Sequence, residues 1–348
     1  MDGTRRALGP ALGPALAGVA LISSSAVVMR LAGTSASITA LGRCLFALPV
    51  LGALVLRGRR PRAGPADLAG RAGPGGTAPR ARWLARLSGL FLAADLILWS
   101  HSIGAIGAGL GTVVPSVQVL IIAVIAWALL GERPHRSLLL ASPVMLGGLV
   151  LVGGLTGAHA YGAHPALGVA EGAGVAVLYA CYILTLRQAT SGSGHPSPVA
   201  MLYEATLGAA AGSVVLGLAL RDLRFGPGPV GPAIGWLVLL ALTSQVAGWL
   251  LITMSMPRLP AWMIGTLLLI QPAGSVILGY LILSERPSLS QLLGVALMMA
   301  GVLVAVTGPA TSRRGPAQHQ DEPPRARRVE GEVVVEVAVA GDGLETAG

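Results

Sequence analysis

Two stretches of twenty residues carry the pattern that decides how this chain folds. They are Gln118–Ser137, QVLIIAVIAWALLGERPHRS, and Gln271–Ser290, QPAGSVILGYLILSERPSLS. Each begins with glutamine, continues through an apolar run, and ends in Glu-Arg-Pro with a serine three residues later. The two stretches lie 153 residues apart, and the same offset aligns Gly148 with Gly301 without a gap. Because chance agreement of Gln and Glu-Arg-Pro at fixed spacing is rare, the pattern indicates an internal repeat.

The composition around this repeat is typical of a membrane protein. Hydrophobic residues make up 53% of the 348 residues. Charged residues make up 11%, where about 25% is usual in soluble domains. The net charge of +9 comes from arginines scattered between apolar runs, which excludes a nucleic-acid-binding protein. Both cysteines, Cys44 and Cys181, lie inside apolar stretches, which excludes a disulfide scaffold.

Ten stretches are long and apolar enough to cross a bilayer, since a hydrocarbon core about 30 Å thick requires about 20 apolar residues in a helix. The sequence therefore predicts an all-α integral membrane protein with ten transmembrane helices, at residues 12–30, 37–56, 83–104, 109–131, 137–155, 166–186, 199–220, 233–256, 261–284 and 288–307. The first stretch could also be read as a signal peptide, but its counterpart in the second half of the chain favours a span.

The predicted helices divide into two repeats, residues 12–155 and 166–307, with five helices each. Five is an odd number, so the second repeat enters the membrane from the side opposite to the first. Inverted repeats of this kind are the architecture of alternating-access carriers. Arginine placement, nineteen on one side against four on the other, predicts that both termini are cytoplasmic. The N-terminus 1–11, the basic loop 57–82 and the tail 309–348 are then cytoplasmic, and the loop and tail are predicted to be disordered.

These features resemble the EamA-type carriers of the drug/metabolite transporter superfamily. The resemblance rests on two five-helix halves, each with a fourth helix ending in Gly131-Glu132-Arg133-Pro134 or Ser284-Glu285-Arg286-Pro287 and followed by a glycine-bearing helix. It covers residues 12–307 and includes an arginine, Arg43, in the second helix. One departure is visible, because Pro272 has Val119 as its counterpart and Pro115 lies four residues before Val119. The resemblance implies a transporter fold and leaves the substrate open.

The third predicted helix carries the most telling polar residue. Asp95 lies near the predicted membrane midplane, where a charge costs about 2.5 to 3.5 kcal/mol on insertion scales. Trp99 and Ser102 follow at i+4 and i+7 and share its face, which suits a cavity wall. We expect a substrate or proton-coupling role for these residues, with a structural bond to a neighbouring helix as the alternative. His101 lies on a different face of this helix from Asp95 and is a weaker candidate, for a proton relay.

Other polar residues inside the predicted spans have two readings each. Gln118 and Gln271 occupy equivalent places in the two repeats and could line a substrate site or hold helices together. Arg43 and Glu171 lie at similar depth near the outer face, which suggests a gate or a structural ion pair, and Glu204 lies near the cytoplasmic face. The Glu-Arg-Pro triplets most simply end one helix and begin the next.

The sequence leaves three classes of function to consider. We expect a secondary active transporter of a small metabolite, amino acid or toxic compound in a bacterial plasma membrane, proton-coupled through Asp95 and acting as an exporter. The chain has no lysine and hence no ATP-binding loop of the Gly-x-x-x-x-Gly-Lys type. An intramembrane enzyme or a membrane sensor or scaffold without transport is the alternative. We expect no cofactor, no metal and no nucleic-acid partner; the partners are a small-molecule substrate and the lipid bilayer, with a homodimer left open.

Overall fold

The computed structural model describes residues 2–58, 79–130, 136–154, 160–190, 197–255, 267 and 270–307, and every regular element in these ranges is helical. Most of the loop predicted at 57–82, the whole tail predicted at 309–348 and the first Glu-Arg-Pro triplet lie outside the described residues. The predictions made for those segments therefore stay predictions. The all-helical fold agrees with the class expected from the sequence.

The helices follow the order of the two repeats. The first repeat contains α1 (Asp2–Ser23), α2 (Ser25–Ala32), α3 (Ala36–Gly58), α4 (Pro79–Ile106), α5 (Ala108–Val113), a 3₁₀ turn (Val114–Val117), α6 (Gln118–Leu130) and α7 (Arg136–Val152). The second repeat contains α8 (Pro165–Thr190), α9 (Pro198–Ala219), α10 (Val230–Leu240), a π-helix (Ala241–Gly248), α11 (Trp249–Ser255), α12 (Ile270–Leu283) and α13 (Leu289–Thr307).

Seven helical segments among the described residues are long and apolar enough to cross a membrane, counting the interrupted helices as single segments. Three shorter apolar helices accompany them, at Arg136–Val152, Ile270–Leu283 and Leu289–Ala305. Each of the ten predicted stretches overlaps one of these ten segments. The ninth is described only in part, because residues 261–266, 268 and 269 fall outside the described ranges. The count of ten spans therefore remains a prediction.

The main contacts of each repeat with the other are repeated with the roles of the two repeats exchanged. Helix α4 packs on α8 and α9, and its repeat equivalent, formed by α10, the π-helix and α11, packs on α1, α2 and α3. Two pairs of equivalent elements also meet each other directly, α3 with α9 and α7 with α13. In addition, α5 contacts α12, and these two elements belong to the fourth and ninth predicted helices, which are equivalent in the two repeats. This exchange is the packing that a two-fold axis between the repeats produces, and it leaves a space between them.

In the contact of α7 with α13, equivalent residues of the two repeats make equivalent contacts. A Cβ on Gly148 would lie 2.6 Å from the Gly294 carbonyl oxygen and 2.7 Å from the Met298 side chain. Its repeat equivalent, Gly301, meets the Met145 side chain, which is the repeat equivalent of Met298. Small residues thus let the two backbones touch, as is common where membrane helices cross closely.

Candidate functional site

A cavity of about 260 Å³ lies between the two repeats. Helices of both repeats contribute to its wall, including α4, α5 and α6 from the first repeat and α8, α11 and α12 from the second. Its polar wall includes one carboxylate, one guanidinium, three aliphatic hydroxyls and three amides: Asp95, Arg43, Ser25, Thr112, Ser116, Gln118, Gln245 and Gln271. This volume lies just below the range of about 300–1,000 Å³ that is usual for small-molecule sites.

Asp95 provides the carboxylate of this cavity. It lies eleven residues before the end of α4 at Ile106, which is about 17 Å along the helix axis and hence deep in a membrane core. Its side chain is 5% exposed, and its Oδ1 atom has no hydrogen-bond partner among the described residues. A buried polar atom without a partner is rare and calls for an explanation, such as a ligand or a proton.

Arg43 lies on α3 and faces the same cavity. Its Nε donates a hydrogen bond of 2.9 Å to Oε1 of Gln245, and its charge interacts with that of Asp95. Gln245 is buried within the π-helix that separates α10 from α11. A π-helix widens the turn and redirects side chains, and such segments are frequent at functional sites. The amide of Gln245 thereby fixes the guanidinium beside the cavity.

Aromatic rings form much of the remaining wall. Trp99 and Trp249 line the cavity from α4 and α11, and Tyr179 and Tyr182 line it from α8. The two tyrosine rings have centroids 5.6 Å apart with planes tilted by 59°. Such rings can pack on apolar groups and can also attract a cation to their faces.

Trp99 is held in place by a hydrogen bond to the fourth predicted helix. Its indole Nε1 donates to the Gly111 carbonyl oxygen at 3.0 Å. Four residues after Gly111 stands Pro115, which has no backbone N–H to donate to that oxygen in an α-helix. The indole therefore supplies the bond that proline removes, at the 3₁₀ turn where the helix is distorted.

Replacing Trp99 with Phe is expected to destabilise the protein by about 1–3 kcal/mol, because the Gly111 oxygen then lacks a donor in a buried site. Thermal unfolding in detergent measures the change. In a Pro115→Ala background the same substitution should cost less, since the introduced alanine can donate its own backbone N–H to the Gly111 oxygen. An equal cost in both backgrounds would contradict this account of the bond.

Five of the residues predicted for the site line the cavity together, namely Asp95, Trp99, Gln118, Gln271 and Arg43. Ser102 is placed differently: its Oγ is buried and donates to the Gly168 carbonyl oxygen at 2.8 Å. Ser102 thus joins α4 to α8 and lies outside the cavity wall. The i+7 spacing placed it on the correct face but at the level where α8 already covers that face.

The predicted pairing of Arg43 with Glu171 is not formed. Arg43 bonds to Gln245, and the charge of Glu171 interacts with His101 instead. His101 is exposed and does not line the cavity, and its role as a proton relay stays a prediction. Arg43 and Glu171 have similar depths along their helices, but depth does not determine which helix faces are adjacent.

Glu204 also has a partner away from the cavity. Its Oε2 accepts a 2.7 Å hydrogen bond from Nε of Arg86, and the Arg86 side chain is 52% exposed. This ion pair joins α9 to the beginning of α4, near the predicted cytoplasmic face. An exposed pair of this kind contributes little to stability, and we assign it a structural role.

Among the lining residues that sequence reasoning missed, four have large polar or aromatic side chains: Gln245, Tyr179, Tyr182 and Trp249. A signal existed for three of them. Gln245 is an amide within an apolar stretch, and the two tyrosines stand three residues apart, which puts them on one helix face. Trp249 carried no such signal, because a tryptophan in a predicted span most often faces lipid or a helix neighbour.

No group of three or more potential metal ligands occurs among the described residues. Of the two histidines between the predicted fifth and sixth helices, His159 lies outside the described ranges, and His164 donates its backbone N–H to the Ala105 carbonyl oxygen at 3.2 Å. Cys44 and Cys181 are free cysteines, and neither belongs to a cluster of potential metal ligands among the described residues.

Comparison with known proteins identifies the class of protein. The model of the EamA-like transporter family matches residues 11–154 and again residues 166–307, so the chain belongs to that family. It is accordingly a multi-pass membrane protein and a transporter of the drug/metabolite transporter superfamily.

Solved structures support the fold alone. Fifteen chains of solved structures are similar to this one. One of them, titled "Crystal structure of protein", is 19% identical, with a TM-score of 0.53 and coverage of 85% of this chain and 96% of the other. No curated protein matches the chain.

Proposed function

We propose that this protein is a secondary transporter that moves a small metabolite through the cavity between its two repeats by alternating access. The observation that carries the proposal is the mid-depth cavity with Asp95, whose Oδ1 has no partner among the described residues. Packing that maps one repeat onto the other supports the mechanism, because exchanging the conformations of equivalent halves opens one site to either face.

The charges of the cavity favour a zwitterionic substrate with an apolar side chain, such as an amino acid. The Asp95 carboxylate can receive an ammonium group, and Arg43 can receive a carboxylate through its terminal nitrogens, since its bond to Gln245 uses Nε. The four aromatic rings offer an apolar surface for the rest of the substrate. Gln118 and Gln271 add donors and acceptors on equivalent positions of the two repeats.

The energy source is the proton gradient in this proposal, and the direction is export from a bacterial cytoplasm across the plasma membrane, with both termini cytoplasmic. Asp95 is the proton-sensitive group because it is the carboxylate of the cavity wall. An intramembrane enzyme finds less support, since no second carboxylate or nucleophile and base pair faces this cavity among the described residues.

Flux into proteoliposomes tests the proposal. Purified protein reconstituted into vesicles is given a panel of labelled amino acids and small organic cations, with and without an imposed pH gradient. We expect saturable flux of a zwitterion that the gradient accelerates, and competition by unlabelled substrate. Protein-free vesicles and vesicles with protein but no gradient serve as controls. No flux of any compound above the protein-free level would argue against transport.

A further inference from the structure

We propose that Glu285 and Asp222 are positioning residues that hold the outer end of the transporter closed. Each carboxylate belongs to the second repeat and binds the N-terminus of a helix in the first repeat. The proposal rests on the alternating-access function proposed above and identifies which contacts must break when the cavity opens outward.

Glu285 forms the tighter of the two contacts. It lies in the loop between α12 and α13 and is 3% exposed. Its Oε1 accepts a hydrogen bond from the Ala108 N–H at 2.6 Å, and its Oε2 accepts one from the Gly109 N–H at 3.0 Å. Both donors belong to the first turn of the helical segment that runs from Ala108 through the 3₁₀ turn to Leu130. One carboxylate thus satisfies two N–H groups that have no partner within their own helix.

Glycines make room for this carboxylate. A Cβ on Gly107 would lie 2.8 Å from the Glu285 Oε1 atom, and a Cβ on Gly279 would collide with the Oε2 atom. Gly107 also has a φ of +91°, a conformation that favours glycine, and it turns the chain directly into α5. The same carboxylate also affects the neighbouring Tyr161. Partial burial, and to a lesser degree the charge of Glu285, raises the pKa of the Tyr161 hydroxyl.

Asp222 makes the second contact from the loop between α9 and α10. Its Oδ2 accepts a hydrogen bond of 3.1 Å from the Ser37 N–H in the first turn of α3. Ser35, just before that helix, donates its hydroxyl to the Asp222 carbonyl oxygen and its N–H to the Arg224 carbonyl oxygen. The loop of the second repeat is therefore fastened to the beginning of α3.

The two contacts are stabilised by the same electrostatic effect, and both are predicted to lie on the same side of the membrane. A carboxylate at a helix N-terminus gains from the partial positive charge there, and such charge-assisted bonds are about twice as strong as neutral ones. In the predicted topology both helix N-termini and both loops lie at the outer face. The cavity begins further in, since Thr112, the first residue of this segment that lines it, stands four residues after Ala108, about 6 Å along the helix. Opening toward the outside must separate these ends, and water can then solvate all the freed groups.

Accessibility of the cavity from outside tests the proposal. Thr112 lines the cavity one turn inside Ala108, so a Thr112→Cys reporter in a chain with Cys44→Ala and Cys181→Ala reports entry of a membrane-impermeant thiol reagent. We expect Glu285→Gln to raise the labelling rate from the outer side roughly tenfold, as the loss of a charge-assisted bond would. We expect Asp222→Asn to raise it in the same direction, and labelling from the cytoplasmic side should not rise.

Controls separate the loss of these two contacts from general loosening. Glu204→Gln makes the same chemical change at the opposite face, where it should leave outer labelling unchanged. Size-exclusion profiles establish whether each variant is folded. If Glu285→Gln does not fold, Asp222→Asn still tests the proposal. Unchanged outer labelling in folded variants would overturn the proposal, as would an equal rise from both sides. Labelling requires no substrate, so faster labelling without any flux would count against the transport function alone.

Discussion

Replacing Asp95 with Asn is expected to remove the acceleration of flux by a pH gradient and to lower the gradient-driven rate by more than roughly tenfold. Asparagine has nearly the shape of aspartate but cannot bind and release a proton. It also offers no charge to a substrate ammonium group at the Oδ1 position, which has no partner among the described residues. The remaining flux, if measurable, should be independent of pH.

Initial rates in proteoliposomes across a range of pH values check this expectation. Because Asp95→Asn leaves the nearby Arg43 without its opposite charge, the double variant with Arg43→Gln restores the charge balance of the cavity. That double variant should still lack pH dependence if Asp95 is the proton-sensitive group. Glu204→Gln, which changes a carboxylate in the Arg86 pair, should behave like the unmodified protein. Full pH-dependent transport by Asp95→Asn would refute proton coupling through this residue.

Adding one methyl group at Gly148 is expected to destabilise the contact between the two repeats. A Cβ there would lie 2.6 Å from the Gly294 carbonyl oxygen and 3.0 Å from the Met298 backbone nitrogen, and backbone atoms cannot rotate away. The helices α7 and α13 would have to separate. We expect Gly148→Ala to cost about 1–3 kcal/mol, the usual penalty for overpacking a tight contact.

The adjacent Gly147 offers a matched control. It lies on the same helix, is exposed, and a Cβ there would meet nothing within 4 Å. Gly147→Ala should therefore leave stability unchanged or raise it by about 0.5–1 kcal/mol, since alanine favours the helix. Thermal unfolding of both variants in one detergent gives the comparison. A melting temperature for Gly148→Ala at or above that of Gly147→Ala would show that the crossing is less tight than described.

Much of the site could be predicted from the sequence because membrane burial makes polar residues conspicuous. Asp95, Arg43, Gln118 and Gln271 are polar groups in apolar stretches, and all four line the cavity. The spacing on α4 also placed Trp99 there. These inferences used only local information, namely depth along a helix and the face of that helix.

Inferences that required knowing which helices touch were less successful. Depth alone pairs Arg43 with Glu171, yet Gln245 in the π-helix is the residue that Arg43 contacts. The helix face alone assigns Ser102 to the cavity, yet the Gly168 carbonyl oxygen of α8 is its partner. The second Glu-Arg-Pro triplet predicts a helix boundary, and the structure adds that its glutamate binds the N-terminus of a helix in the other repeat.

The sequence by itself determined the class of protein, since apolar length specifies helices and an offset of 153 residues specifies a repeat, and the five spans predicted for each repeat predict its inversion. Only the tertiary structure decided the partners of the buried polar groups and the wall of the cavity. The physical reason is that hydrophobicity acts on each helix separately, whereas a hydrogen bond between helices depends on their rotation and contact. Those are set by small residues such as Gly148 and Gly107, whose role becomes visible only when a second backbone or a carboxylate lies against them.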